Sequence, residues 1–113
     1  MINISEWSKN KVDGEYEYWQ MNFLRNENNC VLPEFNHKIK ISFENTRTRG
    51  NNGEYYWLKQ EIKLASNDID TISHESYHAV SHAIRKYSLE KDEEYGAYMV
   101  GSLVKCITDM IEA

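Results

Sequence analysis

Apolar residues along this chain recur with two different periods, and the change from one to the other divides the sequence near its middle. From His37 to Phe43, Ile39, Ile41 and Phe43 alternate with polar residues, the period-two mark of a half-buried strand. Arg49-Gly50-Asn51-Asn52-Gly53 then supplies turn chemistry. Glu54 to Leu64 follows as one or two further strands, with Tyr56, Leu58, Ile62 and Leu64 as inward positions. Together these segments predict an antiparallel ribbon. Beyond Asp68 the period becomes helical. Ile69, Ile72, Val80, Ala83, Ile84 and Tyr87 share one face, Ser66, Asn67 and Asp68 offer N-caps, and no Pro or Gly interrupts Ile69 to Tyr87. A short polar link, Ser88 to Asp92, leads to a second helix that begins near Leu89 or Asp92 and runs to Ile111. Its apolar stripe is Tyr95, Met99, Leu103, Cys106, Ile107 and Met110, with Val100 and Ile111 alongside.

The first third of the chain is less strongly patterned. Trp7 precedes the polar run Ser8 to Lys11, and Asp13-Gly14 is a turn signal. Tyr16, Trp19, Phe23 and Leu24 fall at helical spacing and predict a helix over residues 15–27, although Tyr16, Tyr18 and Trp19 also suit a strand. Asn26, Asn28 and Asn29 end that segment, and a loop through Pro33 leads into the first clear strand. The expected fold is α+β, in one domain spanning residues 1–113. A small antiparallel sheet packs on the helix that starts at Ile69, with the C-terminal helix alongside and an N-terminal helix added.

Composition narrows the class of partner. A chain of 113 residues, 41% hydrophobic and 27% charged, has the make-up of one folded domain with a modest core. A net charge of −5 argues against a nucleic-acid partner, because phosphate neutralisation needs clustered Lys and Arg. Lys38, Lys40, Arg47 and Arg49 read as a solvated hairpin. Cys30 and Cys106 are far apart and form no C-x-x-C pair, which points to two free thiols in a reducing cytoplasm. The start, Met1-Ile2-Asn3-Ile4-Ser5-Glu6, has no basic stretch followed by an apolar run, so no secretory signal is expected. No window is apolar for long enough to span a bilayer, and the expected location is cytoplasmic. Tyr55-Tyr56-Trp57 reads as core or cross-strand packing, with a wall for a substrate as the alternative.

The densest chemistry lies in Thr71 to Val80, T-I-S-H-E-S-Y-H-A-V. His74, Glu75 and His78 form H-E-x-x-H. Residues four apart on a helix sit one turn apart on the same face, so two imidazoles at that spacing can grip one metal ion. The glutamate between them is placed to take a proton from a metal-bound water. That is the arrangement of a zinc hydrolase. A catalytic zinc takes three protein ligands, and the third must come from elsewhere. Glu90, Asp92, Glu93, Glu94 and Asp109 are the candidates. Glu94 is favoured because Ala97, Tyr98, Gly101 and Ser102 share its face, and small residues let another backbone approach. His82, one turn further along and about 40° further around, reads as a neighbour of the site or a surface residue rather than a ligand.

H-E-S-Y-H-A-V followed by D-E-E-Y-G-A-Y-M-V-G resembles the small zincin-like proteins of phages and related mobile elements. These are minimal relatives of the gluzincin side of the H-E-x-x-H metallopeptidases. The resemblance covers roughly residues 60–104; the N-terminal half matches only in having strands ahead of the motif. It implies His74, His78 and Glu94 as ligands of one Zn2+ ion and Glu75 as general base. It further implies hydrolysis of peptide bonds in a peptide or protein substrate. Full-size members carry further domains that build a substrate groove and supply a side chain for the oxyanion. Here Tyr98, one turn beyond Glu94, or Tyr77 within the motif stands as the candidate for that last task. The alternative reading is a catalytically silent, zinc-stabilised binding protein, such as a phage inhibitor of a host or defence protein, with His82 or a nearby carboxylate closing the fourth position. An intact Glu75 favours the enzyme, and the small size favours the binder.

Overall fold

Alternation along His37–Phe43 becomes the central strand of a five-stranded sheet. The structure, a computed structural model, describes residues 11–12, 16–17, 22–44, 52–89 and 93–112. Its elements are β1 (Lys11–Val12), β2 (Tyr16–Glu17), β3 (Leu24–Asn26), β4 (Asn29–Leu32), β5 (His37–Phe43), β6 (Gly53–Tyr56), β7 (Glu61–Leu64), α1 (Ile69–Lys86) and α2 (Glu93–Glu112). A single 3-10 turn, Pro33–Phe35, joins β4 to β5 and stops at Asn36, whose left-handed φ of 49° is one that Asn tolerates. The turn signal at Asp13-Gly14, the residues Trp19 and Arg49 to Asn51, and the acids Glu90 and Asp92 lie outside the described residues.

The α+β architecture is present, with one pairing that the expected antiparallel ribbon did not contain. The strands stand in the order β3-β4-β5-β7-β6. β6 takes the outer position and β7 returns between it and β5. Two reversals leave β5 and β7 running the same way, and they pair in parallel from Lys40↔Glu61 to Phe43↔Leu64. All other pairings are antiparallel. The sheet is therefore mixed.

The helix expected over residues 15–27 is not found where the chain is described. Tyr16 pairs with Val12, and Leu24–Asn26 pairs with Asn29–Val31 in a hairpin that turns at Glu27, φ 57°. The β-favouring aromatic residues and the Asn-rich turn prevail over the helical spacing. In β6 the inward residue is Tyr55, not Tyr56, because Tyr55 stands opposite Ile62 and shares its face. Leu58 belongs to the turn at 57–60 and is 79% exposed; Phe43, at the end of β5, is 53% exposed.

Both helices lie on one face of the sheet. α1 packs on β6 and β7, while α2 packs on β3, β4 and the flank of α1. Cys30, Leu32, Ile39, Ile41, Ile62 and Leu64 from the strands meet Ile72, Ala79, Val80, Met99, Leu103 and Ile107 from the helices in a single core. Fully burying side chains of this size contributes about 1.5–3 kcal/mol each, which sets the register of every strand that carries one. α1 starts at Asp68, whose carbonyl accepts the Ile72 amide. It ends without glycine. Ser88 takes the left-handed conformation, φ 56°, its amide reaches Arg85 O, and the Leu89 amide reaches Ile84 O. Those two bonds close the last turn, and burial of Leu89 beside Ile84 completes the stop. Among the described residues no helix is long and apolar enough to cross a membrane.

Candidate metal centre

The H-E-x-x-H residues occupy the second and third turns of α1. Ile72, Ala79, Val80 and Ala83 anchor one face of that helix in the core, and the turn geometry then sends His74 and His78 to the flank nearest β6. Their Nε2 atoms lie 3.2 Å apart, with the rings edge to face at 4.8 Å between centroids. Glu75 points beneath them. It is 6% exposed, and its Oε2 stands 4.0 Å from His74 Nε2. Among the described residues, the metal-ligating atoms that gather here come from His74, Glu75 and His78, all within 4.8 Å of one another.

These three residues open into a groove of about 960 Å³ between α1 and β6. Gly53 and Tyr55 form its strand wall, and Trp57 stands at the turn beyond them. Gly53 permits the close approach. A side chain there would press on Thr71 and Glu75, so the strand and Glu75 are packed against each other. Trp57 is 61% exposed and leans edge-on to His82, 6.1 Å between centroids.

His82 joins the groove wall beside the histidine pair, outside the group of ligating atoms. A hydrogen bond of 2.6 Å links its Nδ1 to the Tyr55 hydroxyl. Burial, then the nearby Lys86 and Arg85 charges, lowers its pKa. Burial and the adjacent Tyr87 push the Tyr55 phenol up to about 12. No local sequence signal marks this pair, since Tyr55 and His82 are far apart in the chain. Only the docking of β6 on α1 joins them. Of the three aromatics in a row, Tyr55 packs partly on the core, and both it and Trp57 face the groove.

The structure does not bring Glu94 or Tyr98 to the histidine pair. Glu94 is exposed in the first turn of α2, and Tyr98 is partly buried against the core; neither lines the groove. The start of α2 lies against the last turns of α1, where a Cβ added at Gly96 would be 3.2 Å from Ile84 Cδ1. Ile84 is ten residues beyond His74, roughly 15 Å along the helix axis. Tyr77 is exposed, with its ring 6.4 Å from that of His78, and does not line the groove either. Asp70 does line it, one helical turn before His74. Comparison with protein-family models, with curated proteins and with solved structures finds no match.

Proposed function

We propose that this protein is a zinc-dependent hydrolase of peptide bonds, with a zincin-like site on α1 and Glu75 as its general base. The observation that carries the reading is the 3.2 Å separation of the His74 and His78 Nε2 atoms. Two nitrogens each about 2.0–2.1 Å from one tetrahedral zinc ion lie roughly 3.3 Å apart, so the imidazoles already stand at the spacing of shared ligation. The donor set fits the metal as well, since imidazole and carboxylate both suit zinc.

Bound zinc supplies Lewis acidity, which brings the pKa of a water down to about 7. Glu75 then takes the proton released at the attacking water and returns it to the departing amine. Its burial against Gly53 fixes the carboxylate beside His74, so no reorientation precedes that transfer. A peptide is the favoured substrate because β6 is an edge strand, with no partner on its outer side among the described residues. An extended chain laid along it finds backbone partners on one side and the histidines on the other. For the third ligand two acids compete: Asp70, which lines the groove, and Glu94, which the resemblance implies and which would reach the pair only if the start of α2 moved along α1. With the resemblance comes a setting, a protein of phage or mobile-element type acting on a peptide or a host protein.

Elemental analysis of tag-free protein tests this directly. One zinc per chain is expected, lost in His78→Ala and in one of Glu94→Ala and Asp70→Ala. Glu75→Gln is expected to keep its zinc and lose peptide hydrolysis by a factor on the order of 10²–10⁴. No zinc in the wild type, even when it is supplied, would sink the reading. Full zinc with no turnover on any peptide would leave the silent binding protein.

A further inference from the structure

Beyond His78 the groove changes character. Toward the C-terminal end of α1 its wall consists of Tyr55, Trp57, His82 and Arg85. The acids in the wall lie elsewhere or are engaged: Asp70 is at the opposite end, Glu75 is beneath the histidines, and Glu54 accepts a hydrogen bond of 2.6 Å from the Tyr56 hydroxyl. Arg85 has no ion pair among the described residues. Its neighbour Lys86 is turned away and donates to Gln60 Oε1 at 2.6 Å. On a chain of net charge −5, a groove end that among the described residues holds an arginine and no free acid is not the default surface.

We propose that this end is a subsite for a carboxylate, so that the groove takes extended peptides carrying an acidic side chain near the bond held at the histidine pair. The inference rests on the peptide-hydrolase reading above. Arg85 supplies the charge and a planar fork of donors that matches a carboxylate. With the Tyr55 phenol donating across its 2.6 Å contact to His82 Nδ1, the Nε2–H of His82 is left as the second donor. Trp57 walls the subsite and covers the aliphatic stem of the bound side chain. Spacing fixes the position in the substrate. His82 and Arg85 lie four and seven residues past His78, roughly 6 and 10 Å along the axis, and an extended chain advances about 3.3 Å per residue. The acidic residue is therefore the second or third from the bond.

The test is equilibrium binding to zinc-loaded Glu75→Gln protein. Fluorescently labelled short peptides are used in pairs that differ only by Glu or Gln at the second or third residue on either side of the central bond. The Glu member is expected to bind roughly tenfold tighter at low salt, a preference that falls to about one in the Glu75→Gln, Arg85→Met double variant. Arg85 is exposed, so its replacement leaves the fold and the zinc stoichiometry as controls. Equal affinity for the two members, or a preference that survives Arg85→Met, overturns the subsite. The hydrolase reading fails separately: Glu-selective binding without cleavage by protein with Glu75 intact removes turnover and keeps the subsite. No binding of any peptide overturns both.

Discussion

Gly53 and Glu75 touch across the boundary between β6 and α1: a Cβ added at Gly53 would stand 3.1 Å from Glu75 Cγ and 3.0 Å from Thr71 Cγ2. The strand and the helix therefore approach as closely as a bare backbone allows. Gly53→Ala is expected to cost about 1–2 kcal/mol through overpacking, with Gly53→Val worse. Urea denaturation measures it as a lower midpoint at unchanged slope. An unchanged midpoint in Gly53→Val would show that β6 and α1 have room to spare.

Metal should act as a folding ligand. Zinc that binds only the folded chain, at a free concentration a hundredfold above its dissociation constant, adds about 2.7 kcal/mol of stability. The melting temperature is expected to rise with zinc, to fall again with a chelator, and to show neither response in His74→Ala or His78→Ala. A rise that persists in both variants would locate the metal away from α1.

His37 gives stability a dependence on pH. It is 1% exposed; its Nδ1 lies 2.8 Å from the Tyr87 hydroxyl, and its Nε2 has no hydrogen-bond partner among the described residues. Burial, then the Lys86 and His82 charges, lowers its pKa from 6.5 to about 4. Between those values the unfolded chain binds the proton and the folded one does not. The contribution is therefore fully present above pH 6.5 and lost as the pH falls toward 4, on the order of 3 kcal/mol in total. Denaturation midpoints measured from pH 7.5 to 4.5 are expected to show this slope in the wild type and a shallower one in His37→Gln. Equal slopes would remove His37 as the cause.

Cys30 on β4 and Cys106 on α2 are both buried and free, and their thiols are near enough to act on each other's titration. The neighbouring Cys106 and burial both push the Cys30 thiol up. Neither thiol is presented to a reagent in the folded chain. An aromatic disulfide reagent is expected to titrate both thiols in urea and to react in native buffer only at the rate at which α2 opens from the sheet. Rapid reaction of Cys106 in the native state would show that α2 is loosely docked.

How much of this was legible depended on how local the determining physics is. Both helices and β5 were written in the spacing of Ile72, Val80 and Ala83, of Met99, Leu103 and Ile107, and of Ile39 and Ile41. The H-E-x-x-H pair was legible for the same reason, because one helical turn sets the distance between His74 and His78. The parallel β5–β7 pairing was not, since it depends on which of two following strands takes the outer place. Tyr16 and Leu24 were misleading because aromatic and apolar residues at helical spacing serve a short strand equally well. Glu94 shows the limit at the site itself. Its small neighbours promised a close helix contact, but a Cβ added at Gly101, one of them, would meet nothing within 4 Å; the close approach falls instead at Gly96, against Ile84.

Among the described residues, all those that wall the groove lie between Asn52 and Arg85, in one unbroken stretch of chain. The docking of α2, by contrast, joins partners as distant as Phe23 and Ser102, 79 positions apart. Loop closure over short separations costs little entropy, so β6, β7 and α1 can assemble early in folding and the long-range contacts afterwards. The groove is in that sense a nearly autonomous folding unit. Substitutions outside it should change how long the protein stays folded far more than they change the shape of its site.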